Sequence, residues 1–303
     1  MNRTDKDFFE TQRPRLLGLA YRMLGSLADA EDAVQDTFLK WRNGSISGVA
    51  NPEAFLTTVC TRCCLDHLKA AHRKRVDYVG PWIPEPLQID AGSDPESDLV
   101  RAESLTTAFL LLLERLSPKE RAAYLLREVF GKPYGEVAAA LGVSEPACRQ
   151  LVSRAVRHVR DPVSRFVPAP DHQQRMLQAF LGALESGSPD RLAGLLAETV
   201  QFQSDGGGKT AALRRVLDGR EPVARYVARI VARLWSGGRL KPTGINGLYG
   251  LAVMNGSQLV TAMTLGYDAD GLIDRVYNIR NPDKLARFAR PLRHDPSSGA
   301  LWQ

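Results

Sequence analysis

Residues 204–210, SDGGGKT, contain the residue types that close a phosphate-binding loop. A Walker loop requires G-x-x-x-x-G-K-[ST], but Gln203 stands where its first glycine is needed. The loop also needs a buried parallel strand before it and a helix directly after it, whereas the strand TVQFQS is predicted to belong to a small antiparallel domain. Glycines also let a backbone approach a neighbouring surface closely. We therefore interpret the cluster as a place where the backbone closely approaches a neighbouring surface, flanked by the charges of Asp205 and Lys209.

A basic helix face near the middle of the chain has the residue types that read DNA. The segment PYGEVAAALGVSEPACRQLVSRAVRHVR predicts a helix, a tight turn at Gly142-Val143, and a second helix capped by Ser144. Arginine pairs bidentately with guanine and glutamine pairs with adenine. A solvated face is the alternative, but the turn, the short first helix and the basic second helix together favour a helix–turn–helix. The polar face consists of Arg149, Gln150, Ser153, Arg154 and Arg157.

An acidic helix near the N-terminus indicates a different kind of partner. Asp29, Glu31, Asp32 and Asp36 crowd one surface of the predicted helix 29–41. The like charges of Asp32 and Asp36, one turn apart, cost a few tenths of a kcal/mol. A solvated face is again possible. A basic protein surface would offset the repulsion, whereas nucleic acid would increase it.

Three cysteines on one predicted helix allow two interpretations. Cys60, Cys63 and Cys64 would need a fourth ligand to bind a metal, and His67 lies one turn further on. Small buried core residues are the favoured interpretation, because cysteine is among the most buried residue types. We expect no metal and no cofactor.

Composition bounds the class of protein. The chain has 303 residues, 44% hydrophobic and 24% charged, with a net charge of +6. This is typical of a globular protein of two or three domains, and the excess of positive charge suggests a polyanionic partner. No apolar run is long enough for a membrane span, and the N-terminus has no apolar signal region. We expect a cytoplasmic protein with no membrane partner.

The predicted elements divide the chain into helical and mixed parts. Helices are predicted for the first third and again from 101 to 160, separated by a Pro-rich, acidic linker. Beyond 170 come helices at 171–197 and 221–235, and then consecutive hairpins between 239 and 281 with turns such as Asn246-Gly247. Helices followed by an antiparallel sheet indicate an α+β domain.

The helical segments resemble a known family. YRMLGSLADAEDAVQDTFLKW, AFLTTVCTRCCLDHLKAAHRKR and LSPKERAAYLLREVFGKPYGEVAAALGVSEPACRQLVSRAVRHVR are similar, in order and spacing, to regions two and four of an extracytoplasmic-function (ECF) sigma factor. The resemblance covers residues 1–165. It implies two all-α domains, a region-two helical bundle and a region-four helix–turn–helix, and it implies binding to core RNA polymerase and promoter DNA.

The resemblance also implies residue roles. The β′ clamp of polymerase would be bound by Asp32, Gln35 and Asp36. The loop after Arg42 and the helix from Pro52 would open and read the −10 element. Basic residues near its phosphates would be Arg62, Lys69, Arg73, Lys74 and Arg75. The −35 element would be read by the basic face defined above, and the polymerase β subunit is a further expected partner.

The rest of the chain resembles one ECF subgroup, the sigma-J type with a SnoaL-like extension. WIPEPL, DGGGK and NPDKL carry this resemblance. It implies that the glycine cluster is a hinge or latch between the extension and the sigma half or its WIPEP linker. It implies an NTF2-like cone, an antiparallel sheet wrapped by helices, that controls activity in cis in place of a separate anti-sigma protein. The expected domains are 1–80, a linker 81–105, 106–165, the cone 171–290 and a tail 291–303. The expected regulatory contacts involve Trp82, Pro84, Asp205, Gly206, Gly207, Gly208, Lys209, Asn281, Pro282 and Asp283.

Two functions from different classes are consistent with these patterns. The first is a promoter-recognition subunit with no active site, gated by its own C-terminal domain. The alternative is an NTF2-like enzyme or small-molecule sensor fused to a DNA-binding half. Such cones often hold a pocket, but catalysis there uses a carboxylate, often with His, inside the cone. His172 and His294 do not occupy expected sheet positions, so we predict no catalysis and leave binding of a small ligand in the cone open.

Overall fold

The computed structural model describes residues 3–43, 51–76, 78–88, 105–159 and 166–294. The chain divides into two compact units. The helical unit contains Met1–Asp77, Asp94–Leu105 and Phe109–Asp161, and the C-terminal unit contains Tyr78–Ser93, Thr106–Ala108 and Pro162–Gln303. The loop after Arg42, most of the expected linker and the tail from 295 onward lie outside the described residues.

The first three helices of the helical unit form a bundle. They are α1 (Arg3–Leu24), α2 (Leu27–Asn43) and α3 (Pro52–Val76). The side of α2 opposite its acidic residues is apolar and buried, with Ala30, Val34 and Trp41 in the core. The cysteines of α3 are free and buried, as their favoured interpretation required.

The second half of the helical unit contains the predicted helix–turn–helix. The helices are α4 (Thr107–Glu114), α5 (Pro118–Tyr124), which continues as a π turn at Leu125–Val129, α6 (Tyr134–Leu141) and α7 (Glu145–Val159). Ser117 and Glu120 form a capping box that starts α5. Gly142 ends α6 in the left-handed conformation with φ 63°, which glycine adopts without steric cost. The Ser144 side chain then accepts from the Ala147 N–H at 3.4 Å and caps α7.

The C-terminal unit is an α+β domain built on one six-stranded sheet. Its helices are α8 (Pro170–Ser186), α9 (Pro189–Ala193), α10 (Arg220–Tyr226), a π turn (Val227–Val231), α11 (Ala232–Trp235) and α12 (Pro282–His294). Its strands are β1 (Leu196–Asp205), β2 (Leu217–Asp218), β3 (Arg239–Ile245), β4 (Leu248–Asn255), β5 (Gln258–Tyr267) and β6 (Ile273–Ile279). The expected helix 171–197 therefore ends at Ser186, where Gly187 takes φ 62°, and its last residues belong to α9 and β1.

The sheet has the order β2-β1-β6-β5-β4-β3. The predicted hairpins are confirmed, because β3–β4, β4–β5 and β5–β6 pair antiparallel. Asn246 and Gly247 both have positive φ in the first of these turns, as the type I′ geometry of a two-residue hairpin requires. The expectation of a purely antiparallel sheet is wrong, because β1 pairs with β6 in parallel. After β2, the helices α10 and α11 carry the chain to the far edge of the sheet, where β3 begins. The strands β3 to β6 then follow one another back across the sheet, so that β6 lies beside β1.

One face of the sheet carries the core. Phe202, Leu251, Met263 and Val276 pack there against α8, α10 and α11, whose buried residues include Phe180. Tyr267 and Trp235 belong to the same cluster. These two large side chains are thus core residues.

Candidate DNA-reading surface and linker-binding site

The predicted reading face of α7 is exposed. Leu151, Val152 and Ala155 are buried, and the five polar residues of the predicted face are all exposed on the other side. This separation follows from the 3.6-residue period, which brings positions three and four apart onto one side. A helix with its apolar side buried and its Arg, Gln and Ser residues outward is shaped for a DNA groove.

Local ion pairs orient the arginines of this face. Arg149 Nη2 lies 2.6 Å from Glu145 Oε1, and its guanidinium lies 4.1 Å from the centroid of the Tyr134 ring. Arg154 Nε lies 2.8 Å from Glu120 Oε1. Burial acts to raise the pKa of Glu120, but hydrogen bonds from Arg154 and Ser117 outweigh it, so the net pKa is lowered. Glu120 thus links the cap of α5 to α7, a connection that the sequence analysis did not predict.

The acidic surface of α2 is also presented to solvent. Asp32, Gln35 and Asp36 are exposed, and Leu39, one turn further on, is 36% exposed. Asp36 Oδ2 lies 3.2 Å from His67 Nε2 of α3. The surface is therefore a row of carboxylates that ends in an apolar side chain, a combination suited to a basic protein surface.

The basic residues expected near the −10 element differ in their contacts. Arg62 is exposed, but its guanidinium donates to the main-chain oxygens of Ala139 at 2.8 Å and Ala140 at 3.1 Å. These carbonyls belong to the last turn of α6, where cations are favoured by the helix dipole. Lys69 lies 2.8 Å from Asp66. The remaining three, Arg73, Lys74 and Arg75, lie on α3, but their side chains are outside those described.

A second contact ties α3 to the helix–turn–helix. Glu53 Oε1 lies 2.7 Å from Lys132 Nζ and also pairs with Arg15 of α1. The hydrogen bond from Lys132 is the main cause that lowers the pKa of Glu53. Together with the contacts of Arg62, this pair connects α3 to α6 and to the turn that precedes it, inside the helical unit.

The C-terminal unit contains a buried carboxylate where the glycine cluster begins. Asp205 ends β1 and is fully buried. Its Oδ1 accepts from the Tyr78 hydroxyl at 2.5 Å and the Gly207 N–H at 3.0 Å. Its Oδ2 accepts from the Ile83 N–H at 2.9 Å and Lys284 Nζ at 2.6 Å. Four donors satisfy an ionised carboxylate, and two of them belong to the segment 78–88.

Lys284 binds the same segment from the other side. Its Nζ also donates to the Ile83 carbonyl at 2.5 Å. It lies 4.4 Å from the centroid of the Trp82 ring and 5.2 Å from that of Tyr78, which are cation–π distances. Burial, followed by the hydrogen bond to Asp205, raises the pKa of Tyr78, so its hydroxyl stays protonated and donates.

The three glycines lie so close to neighbouring atoms that there is little or no room for a side chain. Gly207 has φ +59°, and a Cβ there would lie 2.3 Å from Asn281 Nδ2. A Cβ on Gly206 would lie 2.5 Å from the Thr210 carbonyl oxygen, and one on Gly208 would lie 3.3 Å from Val79. No helix follows the glycines directly, since the next helix begins at Arg220. The loop therefore lacks the strand-to-helix geometry of a phosphate-binding loop.

NPDKL starts α12 at the same place. Asn281 Oδ1 accepts from the Asp283 N–H at 3.0 Å and caps the helix, with Pro282 in its first turn. Asn281 Nδ2 donates to the Tyr78 hydroxyl at 2.9 Å. Lys209 Nζ lies 2.5 Å from Asp283 Oδ2 on the surface. WIPEP, with Pro84 buried, DGGGK and NPDKL thus meet around Asp205.

A second anchor of the segment was not predicted. Asn246, read from the sequence only as a hairpin turn, is fully buried. Its Oδ1 accepts from the Leu87 N–H at 2.8 Å, and its own N–H donates to the Leu87 carbonyl at 2.9 Å. The Asn-Gly dipeptide predicts a hairpin turn wherever it occurs, so it did not indicate that Asn246 would bind Leu87.

Comparison with known proteins identifies the family. Residues 8–74 match the family described as "Sigma-70 region 2", and residues 106–159 match "Sigma-70, region 4". The chain is 36% identical over 293 residues to the ECF RNA polymerase sigma factor SigJ of Mycobacterium tuberculosis, covering 91% of each chain. The chain belongs to the ECF sigma factors. Membership supports a promoter-recognition function.

A further relative and a solved structure define how far the likeness extends. A probable ECF RNA polymerase sigma factor, SigI of M. tuberculosis, is 31% identical over 65% of this chain and 68% of its own. The crystal structure of the M. tuberculosis ECF sigma factor SigJ matches with a TM-score of 0.72 and 33% identity, covering 92% of this chain and 98% of that one. The likeness therefore includes the C-terminal α+β domain of this ECF sigma factor. Among the described residues, no helix is long and apolar enough to cross a membrane.

Proposed function

We propose that this ECF sigma factor recruits core RNA polymerase through α2 and reads promoter DNA through α3 and α7, while its C-terminal domain regulates it in cis. The observation that carries the first part is the separation of charge within the helical unit: an exposed acidic face on α2 and an exposed basic face on α7. The observation that carries the regulatory part is the buried carboxylate of Asp205, which holds the segment 78–88 just beyond region two.

The docking role of α2 rests on Asp32, Gln35 and Asp36. Their exposed side chains suit a basic helical surface such as the β′ clamp of polymerase, and Leu39 adds an apolar contact. Charges on this rim steer association and fix register. The double variant Asp32→Arg with Asp36→Arg reverses two charges and should abolish binding to core RNA polymerase in a pull-down of the full chain.

A matched control separates docking from net charge. Glu185→Arg with Asp190→Arg makes the same charge change on exposed positions of the C-terminal domain. The control should retain core binding. If the α2 variant has a normal melting temperature and still binds core polymerase as the wild type does, the assignment of α2 as the polymerase-binding surface is wrong.

DNA reading is divided between two helices. Arg149, Gln150, Ser153, Arg154 and Arg157 of α7 would contact the −35 element, and the basic residues of α3 would contact the −10 element. Arg62 is bound to the carbonyl end of α6, so contact with DNA through this residue requires α6 to move away. Opening of the helical unit on polymerase is therefore part of the proposal.

Regulation in cis would act through the segment 78–88. In place of a separate anti-sigma protein, the C-terminal domain holds this segment with Asp205, Lys284 and Asn246. A small ligand in the cone is a possible input to the same domain. Buried contacts fix the segment, and region two ends only a few residues before it. Release of the segment would therefore free the chain that joins region two to region four, and it should change promoter output.

The experiment is transcription in vitro with core polymerase from a library of templates with randomised −35 and −10 elements, read by sequencing the transcripts. The full chain is compared with Asp205→Asn, with Tyr78→Phe and with chains ending at about 165, 204 and 285. Regulation in cis predicts that Asp205→Asn and the truncations change the total output. An identical output from every chain would refute regulation in cis and leave promoter recognition intact.

A further inference from the structure

The excess positive charge of the C-terminal domain is concentrated in one stretch. Residues 214–241 contain eight arginines and lysines against two acidic residues, whereas the rest of 170–294 contains nine of each sign. Seven of the eight are arginines. Like charges that lie near one another repel, so a stretch with this excess of arginine is a candidate for binding an anionic partner.

The helix from α10 to α11 presents these arginines outward. Val223, Val227 and Val231 face the core, and Arg225, Arg229 and Arg233 are exposed. In an α-helix a spacing of four residues drifts around the axis. The π turn at Val227–Val231 turns less per residue and opposes that drift, so the three arginines stay on the outward side. After a short turn, β3 begins with Arg239, which is exposed as well. We call Arg225, Arg229, Arg233 and Arg239 the basic stripe.

Acidic groups balance only one end of the stripe. Arg225 Nη1 lies 3.5 Å from Glu221 Oε2, and Arg220, just before the stripe, lies 2.6 Å from Glu198 Oε1. A groove of about 820 Å³ beside this end is lined by residues of both signs, including Asp190. Further along, the guanidinium groups of Arg229, Arg233 and Arg239 form no ion pair with any residue that the structure describes.

We propose that the basic stripe binds the sugar–phosphate backbone of duplex DNA, as a contact of the C-terminal domain separate from those of α3 and α7. Arginine guanidinium groups match phosphate oxygens bidentately. Positions four apart advance about 6 Å along a helix, so neighbouring arginines reach different phosphates of one strand. Ile230 and Leu234, both 44% exposed, lie beside them and would contact the sugars. The inference rests on one part of the proposed function, that the protein binds promoter DNA, and it does not depend on the roles assigned to α7.

Salt dependence of DNA binding tests the stripe. The probe is a fluorescent 40-bp duplex of mixed sequence, titrated with the full chain between 50 and 300 mM KCl. The variant Arg229→Gln with Arg233→Gln removes two unpaired charges and keeps good helix formers. Each lost phosphate contact lowers the salt slope by about 0.9, so the slope should fall by about 1.8 and the affinity at 50 mM by about tenfold or more.

The control has the same charge change on another helix pair. Arg175→Gln with Arg191→Gln removes two exposed arginines from α8 and α9. This variant should keep the wild-type slope to within about half a unit. Equal slopes for stripe variant, control and wild type would overturn the proposal. So would unchanged DNA binding together with weaker binding to core polymerase, since the stripe would then be a protein-binding surface.

The outcome is independent of the proposed function. Arg149→Gln with Arg154→Gln should abolish the −35 preference in the library experiment, whereas the stripe variant should keep that preference and bind every sequence more weakly. A stripe variant that changes which −35 sequences are preferred would also overturn the proposal, because phosphate contacts carry no sequence information.

Discussion

The exposed polar face of α7, which we propose reads DNA, and the buried Asp205 with its four donors, here called the Asp205 site, both depend on charged side chains. They use these side chains in opposite ways. On α7 the arginines are exposed and pair at the surface, Arg149 with Glu145 one turn away and Arg154 with Glu120 of α5. Asp205 is fully buried, and its partners come from residues 78, 83, 207 and 284. An exposed pair is worth little because water competes for it, whereas a buried carboxylate that loses its partners is costly. The first region is available to an external ligand, and the second holds the chain itself.

The largest effect that this comparison predicts is for Asp205→Ala. Removal of the carboxylate deprives the Lys284 ammonium of its anionic partner. The Lys284 side chain is only 12% exposed, so water cannot fully replace that partner. The free energy of unfolding of the C-terminal domain should fall by about 3–5 kcal/mol, measured by urea denaturation of the full chain. Asp283→Ala removes a surface partner of Lys209 and should cost less than about 1 kcal/mol. If the two variants lower the free energy of unfolding by the same amount, the buried pair stabilises the domain no more than the exposed pair does.

Tyr78→Phe removes one donor to the same carboxylate. A hydrogen bond to a charged group contributes about 1.5–3 kcal/mol, and the ring still packs beside Lys284. The segment 78–88 should become more susceptible to limited proteolysis, with the C-terminal domain still folded. Tyr134→Phe, whose ring stacks under Arg149, provides the comparison on the α7 side and should leave stability unchanged. Equal protection of the segment in wild type and Tyr78→Phe would contradict the assignment of Tyr78 as an anchor.

Gly207→Ala tests the close approach of backbone and side chain. Its positive φ alone costs an alanine about 1–2 kcal/mol, and the added Cβ must also displace Asn281. Gly256 has φ +57° with open space around it, so Gly256→Ala carries the backbone cost only. We expect the Gly207 variant to have the lower melting temperature of the two. The opposite order would mean that the crowding at Asn281 is relieved without loss.

On α7, Gln150→Ala should change function and leave stability nearly unaltered. The side chain is exposed, and substitutions at such positions stay within about 0.5 kcal/mol. Loss of one base contact costs about 1–3 kcal/mol of discrimination, seen as a relaxed preference at one −35 position in the library experiment. A large drop in stability would show that this face has a structural role like that of Asp205.

The smallest expected effect is a pH dependence in the helical unit. Because Glu120 has a lowered pKa in the folded state, the unfolded state binds more protons as the pH falls below the ordinary glutamate value of about 4.3. The contribution of Glu120 is therefore present above that pH and is lost on going down through the folded-state pKa. Glu120→Gln should flatten the dependence of the unfolding free energy between pH 5 and 3. An unchanged profile would show that the pairing of Glu120 with Arg154 does not stabilise the unit.

Local patterns were sufficient to predict α7, its turn and its exposed residues. Gly142 and Ser144 are signals whose meaning depends on the backbone within a few residues. The hairpins from β3 to β6 followed from Asn-Gly and Asp-Gly turns in the same way. The parallel pairing of β1 with β6 was missed, because it joins residues about 75 positions apart and no local signal distinguishes a parallel edge from an antiparallel one.

The members of the Asp205 site were predicted only in part. The resemblance of WIPEPL, DGGGK and NPDKL to one subgroup indicated three segments that belong together. Lys284 lies within NPDKL but was not among the expected contacts, and neither Tyr78 nor Asn246 was indicated at all; these three residues complete the hydrogen bonds of the buried groups. A buried carboxylate must be satisfied, but which distant donors satisfy it depends on how the segments meet.

By itself, the sequence determined the helices of regions two and four, the exposed charges on them and the order of hairpins in the C-terminal domain, since these depend on periodicity and on turn residues close in the chain. Only the tertiary structure decided that Asp205 is buried, that Lys284 and Tyr78 bind it, and that Arg62 contacts the end of α6. Burial is a property of all the segments packed together, and the cost of an unpaired buried charge then selects the partners. The contacts made at SDGGGKT are therefore a consequence of packing, whereas the exposed polar face of α7 was already apparent in its residues.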